Sequence, residues 1–166
     1  MPAPSPCRNN SGNIKRRMND SGFGRRESIG RKKFEINWGH FKHEYTQGKF
    51  DPWDVSVTAK TTTYNIEIKD KNEPMSKWED EGFMLEILKY VKLMGAYKAT
   101  GSLPIYLNFF SNGEGFSCNL ADIKPKWEFR LCTKTTEDGT YGKEKEWKYV
   151  TMIPSDKVKK FKYRYE

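Results

Sequence analysis

The chain is short of histidine and cysteine, and it has no long apolar run. Its three cysteines, Cys7, Cys118 and Cys132, are odd in number and form no C-x-x-C pair. That spacing argues against a disulfide framework or a zinc knuckle and fits reduced thiols in a cytosolic protein. The two histidines, His40 and His43, form H-x-x-H. On a short strand they point to opposite faces with no third ligand behind them, so they read as ordinary polar surface. No stretch approaches the roughly 18 apolar residues of a membrane span. The first residues lack a charged region followed by an apolar one, so no secretory signal is expected. No glycine-rich phosphate loop is present, because Gly22-Phe23-Gly24 lacks the spacing that must follow. No serine nucleophile elbow and no internal repeat are found.

What is present is charge and aromatic surface. The 166 residues carry 30 Lys plus Arg against 22 Asp plus Glu, a net charge of +8. That length predicts one domain with a tail. Hydrophobic residues make up only 36%, yet aromatics reach 14%, too many for a wholly disordered chain. The charge is uneven. Residues 1–33 hold nine bases (Arg8, Lys15, Arg16, Arg17, Arg25, Arg26, Arg31, Lys32, Lys33) and two acids, a net +7, which leaves +1 for the other 133. Proline, asparagine, serine and glycine dominate its beginning. Residues 1–22 are therefore expected to be a disordered basic arm. Such an arm is either a solubilising tail or a segment lying on a phosphate backbone, unless translation begins at Met18 instead.

Patterning places a first helix over residues 24–37, with Ile29, Phe34 and Ile36 as its apolar residues. A short strand follows at 41–45, then a loop with Gly48 and Pro52. Alternating β-branched residues predict strands at 54–58 and 63–69, paired as a hairpin. Residues 78–97 predict one long amphipathic helix. An apolar run at 104–110 predicts a buried strand, and 115–120 another. Strands at 127–133 and 147–153 flank an Asp138-Gly139 turn. The order, helix, three strands, helix, two strands, then an appended β part, predicts helices packed on a mixed sheet. The expected division is an arm at 1–22, a core at 23–123 and a C-terminal β extension at 124–166. The C-terminal alternation of bases with Phe161, Tyr163 and Tyr165 suits a nucleic-acid track and a lysine-guarded edge strand equally.

One constellation can carry chemistry. Asp54 opens one predicted strand, and Glu67-Ile68-Lys69 lies on the next. Period-two geometry puts Glu67 and Lys69 on one face, opposite Ile66 and Ile68. In a hairpin Asp54 approaches Glu67. Two carboxylates and an ammonium then meet, a set suited to phosphodiester hydrolysis with a divalent cation. Glu146-Trp147-Lys148 repeats the triplet but lacks an acid on a preceding apolar strand.

Asp51-Pro52-Trp53-Asp54 with Ile66-Glu67-Ile68-Lys69 resembles the core of the PD-(D/E)xK nuclease superfamily. The resemblance spans residues 24–123 and is closest in style to small phage-encoded members, with archaeal-type Holliday junction resolvases similar in layout. It implies a restriction-endonuclease-like fold and cleavage of DNA with Mg²⁺, Mn²⁺ substituting. By resemblance Asp54 and Glu67 bind metal, the Ile68 carbonyl adds a ligand and Lys69 serves the attacking water. The family often adds a glutamate from the first helix; Glu27 and Glu35 are candidates, and Glu44 is a weaker one. The expected nucleic-acid contacts are Lys15, Arg16, Arg17, Arg25, Arg26, Arg31, Lys32 and Lys33. The resemblance also allows a homodimer; the cysteine usage and the lack of an apolar span lead to an expected cytoplasmic location, the host's if phage-encoded, with no membrane partner. Two rivals stand beside the nuclease: a non-catalytic nucleic-acid-binding protein of the same fold, and a phage structural or host-interaction protein.

Overall fold

The computed structural model describes residues 22–48, 51–135 and 141–165. Residues 1–21 of the expected arm, with Lys15, Arg16 and Arg17, lie outside them, as does the Asp138-Gly139 turn, while Gly22 already belongs to the first helix.

Helix α1 (Gly22–Trp38) leads into strand β1 (Lys42–Tyr45). Strands β2 (Val55–Ala59) and β3 (Thr62–Asp70) form the expected hairpin, with Lys60 in a left-handed conformation at the turn (φ 55°). Strand β5 (Leu103–Phe109) runs parallel to β3. Strand β6 (Glu114–Asn119) pairs antiparallel with β5, and β9 (Lys159–Lys162) antiparallel with β6. The six strands lie in the order β1-β2-β3-β5-β6-β9. This is the mixed sheet flanked by helices that the pattern predicts.

The parallel β3–β5 pair needs a crossover, and here the structure corrects the reading. Residues 78–97 are not one helix. Helix α2 (Met75–Glu81) stops at Gly82, strand β4 (Phe83–Glu86) follows, and only then does helix α3 (Ile87–Thr100) begin. Gly82 has φ 87°, a conformation that favours glycine. Phe83 and Leu85 alternate into the core while β4 pairs with strand β8 (Tyr141–Ile153). Strand β7 (Trp127–Thr135) pairs with the other edge of β8. The chain thus crosses between its two sheets on both sides of residue 124, through β4 and through β9.

Each face of the large sheet has its own core. On one face α1 lays Phe34 over Val55, Val57, Ile66, Ile68, Leu107 and Phe109. Ile36, expected on that face, is exposed, and Trp38 packs there instead. The approach is close: a Cβ on Gly30 would sit 2.9 Å from Ile68 Cγ2. On the opposite face α2, α3 and the small sheet cover Tyr106, Phe110, Phe116 and Cys118 with Met75, Phe83, Leu85 and Leu93. Cys118 and Cys132 are free thiols. At the C-terminal edge Phe161 packs inward beside Trp38 and Tyr163 is buried, so β9 is an edge strand with lysines outward. Phe129 (71% exposed) and Trp147 project from the β7–β8 hairpin. Among the described residues no helix is long and apolar enough to cross a membrane.

Candidate active site

Asp54 stands just ahead of β2, where the hairpin ladder ends. Its N–H donates to the Ile66 carbonyl at 3.0 Å, and its own carbonyl accepts from Thr46 N–H at 3.0 Å. These bonds fix the main chain on both sides. The carboxylate then turns across to β3, and Oδ2 accepts from Ile68 N–H at 2.6 Å. A side chain thus replaces the next rung of the ladder and sets Asp54 against the backbone between Glu67 and Lys69.

Glu67 is 1% exposed. Its Oε1 accepts from Lys69 Nζ at 2.9 Å and from Lys89 Nζ at 2.8 Å. Its Oε2 is buried with no hydrogen-bond partner among the described residues. Glu67 and Lys69 share one face while Ile66 and Ile68 pack under α1 on the other, as strand periodicity requires. On β5, Tyr106 stands opposite Glu67 in register and Asn108 opposite Lys69.

The electrostatics follow from burial. Burial, then the nearby Glu67 charge, pushes the Asp54 carboxyl up to about 6; the Ile68 hydrogen bond and Lys69 offset this only in part, and Glu27 adds to it. Burial works against the Lys69 charge, but Glu67, Tyr106 and Asp54 outweigh it and hold that ammonium above its ordinary value. Burial pushes the Tyr106 phenol up to about 12.

Of the three glutamate candidates, the structure brings one close. Glu27 on α1 pairs with Arg31 at 2.6 Å, and Arg31 lies 3.9 Å from Asp54 Oδ1. Glu35 shares a 2.8 Å hydrogen bond with His43 instead. Glu44 lies on β1, across from Ser56.

No family model matches the chain, and no curated protein matches it significantly. Among solved structures, the chain is similar to that of Hjc, a Holliday junction resolvase from the archaeal hyperthermophile Archaeoglobus fulgidus. The two share 12% identity over 74% of this chain and 86% of that one, with a TM-score of 0.45.

The basic residues of α1 divide in two. Arg25 and Lys32 are exposed. Arg31 is drawn to Glu27, and Arg26 and Lys33 reach Asp70 at 3.1 and 2.5 Å. The Asp70 side chain is 2% exposed. These three cations are thus committed to carboxylates within the fold.

Sequence reasoning missed Lys89, Asp70, Tyr106 and Asn108. Asp70 had a signal, since it is an acid closing a strand that is otherwise apolar on that face. Lys89 had none, because only the crossover brings α3 over Glu67. Among the described residues no group of three or more His, Cys, Asp or Glu side chains is placed to hold a metal. The set expected here is smaller, two carboxylates and one main-chain carbonyl.

Proposed function

We propose that the protein is a metal-dependent endonuclease that hydrolyses DNA phosphodiester bonds, as its likeness in motif to the PD-(D/E)xK superfamily implies. The observation that carries this is the meeting of Asp54, Glu67 and Lys69 at the end of the hairpin, with Asp54 bonded to the Ile68 N–H.

The residues fit a divalent cation. Glu67 Oε2 is a buried carboxylate oxygen with no hydrogen-bond partner among the described residues, an unusual and costly state that a cation relieves. Asp54 is pushed up to about 6 by burial and by Glu67, so a positive charge beside it would favour its ionised form. Asp54, Glu67 and the Ile68 carbonyl would hold the ion, in keeping with the oxygen ligands that Mg²⁺ prefers. When bound, Mg²⁺ supplies charge neutralisation at the phosphate and a more acidic water.

The chain's own groups do the remainder. Lys69, kept charged, orients the attacking water and stabilises charge that develops on the phosphoryl oxygens. Lys89 approaches Glu67 from α3, so it holds that carboxylate in place from above the sheet. Arg31 steadies Glu27 beside Asp54. Tyr106 stays protonated and donates rather than charges.

Linear duplex, single-stranded DNA, four-way junctions and RNA are incubated with Mg²⁺, Mn²⁺ or EDTA and resolved on denaturing gels. Cleavage of DNA with either metal, lost in Glu67→Ala while circular dichroism stays native, is the expected result. Binding without cleavage under any metal would favour the non-catalytic reading, and sedimentation of the same samples reports whether the chain is a homodimer.

A further inference from the structure

Lys71 is a cation for which the candidate active site has no use. It follows β3 and continues the ladder, its N–H donating to the Phe109 carbonyl at 2.8 Å. Two residues beyond Lys69, it shares that residue's face about 6.7 Å along the strand. Its ammonium lies 4.3 Å from the centre of the Trp78 ring. Trp78 is itself fixed, since its indole N–H donates to Glu73 at 3.1 Å.

The neighbouring carboxylates are spent on other cations. Glu73 pairs with Lys77 at 2.6 Å, and Glu86 with Lys148 at 2.7 Å. Glu67 holds Lys69 and Lys89. Lys71 is left with an aromatic face and the positive fields of Lys69 and Lys148. Burial first, and Lys69 next, push its ammonium down to about 8; Glu73 and Glu86 offset only part of this. Among the described residues no carboxylate pairs with this half-buried lysine, and the aromatic ring supplies only a weak substitute for one. Its ammonium already rests on the Trp78 ring, so little side-chain freedom is lost when an anion arrives.

We propose that Lys71, seated on Trp78, is a phosphate-binding subsite that takes the backbone phosphate next to the one cleaved at Asp54, Glu67 and Lys69. This rests on the nuclease reading for its source of phosphate; free inorganic phosphate offers the same chemistry and is an arm of the test.

Duplex DNA binding is measured by fluorescence anisotropy in EDTA, where no cleavage occurs, from 50 to 200 mM salt. Lys71→Met keeps the stem and removes the charge, Lys71→Arg keeps the charge, and Lys60→Met at the β2–β3 turn is the control. The expected result is a salt slope of log K reduced by about 0.9 in Lys71→Met, one lost phosphate contact, and unchanged in Lys71→Arg and Lys60→Met. An unchanged slope in a Lys71→Met variant that melts like wild type overturns the proposal. If wild-type protein binds no DNA, the nuclease reading fails on its own. The lysine side-chain signals of the wild-type protein, titrated with inorganic phosphate, then decide. A saturable shift at Lys71 supports the anion site with free phosphate as its occupant, and no shift overturns it.

Discussion

Replacing Asp54 by asparagine should make the metal-free protein more stable at neutral pH, although the same change removes a proposed ligand. The Asp54 carboxyl stands at about 6 in the folded chain against an ordinary 3.8. An acid held above its unfolded value binds its proton more tightly when folded, so its ionised form weakens the fold. The penalty is complete above about 6, shrinks as pH falls toward 3.8 and vanishes below that. At about 1.4 kcal/mol for each tenfold change in proton affinity, the gap amounts to about 3 kcal/mol. The side chain is only 15% exposed, so solvent screens little of this. Asparagine mimics the protonated acid and keeps an oxygen for the Ile68 N–H. Urea unfolding in EDTA should therefore show Asp54→Asn ahead of wild type by up to about 3 kcal/mol at pH 8 and level with it below pH 4. In melting temperature that is on the order of 6–12 °C for a chain of this size. A variant less stable at pH 8, or a difference independent of pH, would refute the reasoning, because either result means that Asp54 is neither desolvated nor crowded by Glu67.

Two further outcomes follow from buried features. Asp70→Asn leaves Arg26 and Lys33 without their shared carboxylate at the junction of α1 and β3, and should cost about 3–5 kcal/mol in chemical denaturation. Gly82→Ala forces a side chain into φ 87° and to within 2.5 Å of Met152 Cε. It should lower stability by about 1–2 kcal/mol in thermal unfolding, whereas Gly95→Ala, which meets nothing within 4 Å, should leave it unchanged or raised.

The readable part of the fold was the part written in local periodicity. Strands β2, β3, β5 and β6 follow alternation or apolar runs, and the same period of two placed Glu67 and Lys69 on one face. Asp54 was readable because only a short turn separates its strand from β3. The break at Gly82 was hidden. Phe83, Leu85, Ile87 and Leu88 satisfy a helical stripe and an alternating strand alike. The choice between them is made by Met152 and Ile153, some 70 positions away, which pair with β4. Lys89 was hidden for the same reason, and Asp70 showed itself as a lone acid on an apolar face but not by its partners. Their partners are set by how α3 and α1 dock, which no window of neighbouring residues records. The basic count of α1 likewise does not record that Arg26 and Lys33 sit beside Asp70 and Arg31 beside Glu27.

The parallel pairing of β3 with β5 has a consequence for how the molecule assembles. Asp54 and Ile68 are only 14 positions apart, and the hairpin that joins them closes a short loop at small entropic cost. Lys89 and the cover over Glu67 arrive with a crossover that must traverse α2, β4 and α3 before β5 can pair, and β4 must wait for β8. Long-range pairing of this kind is intrinsically slower than closing a hairpin. The half of the site that carries Asp54 therefore forms on a faster clock than the half that buries Glu67, and hydrogen exchange during refolding should protect Ile68 N–H before the amides of β5.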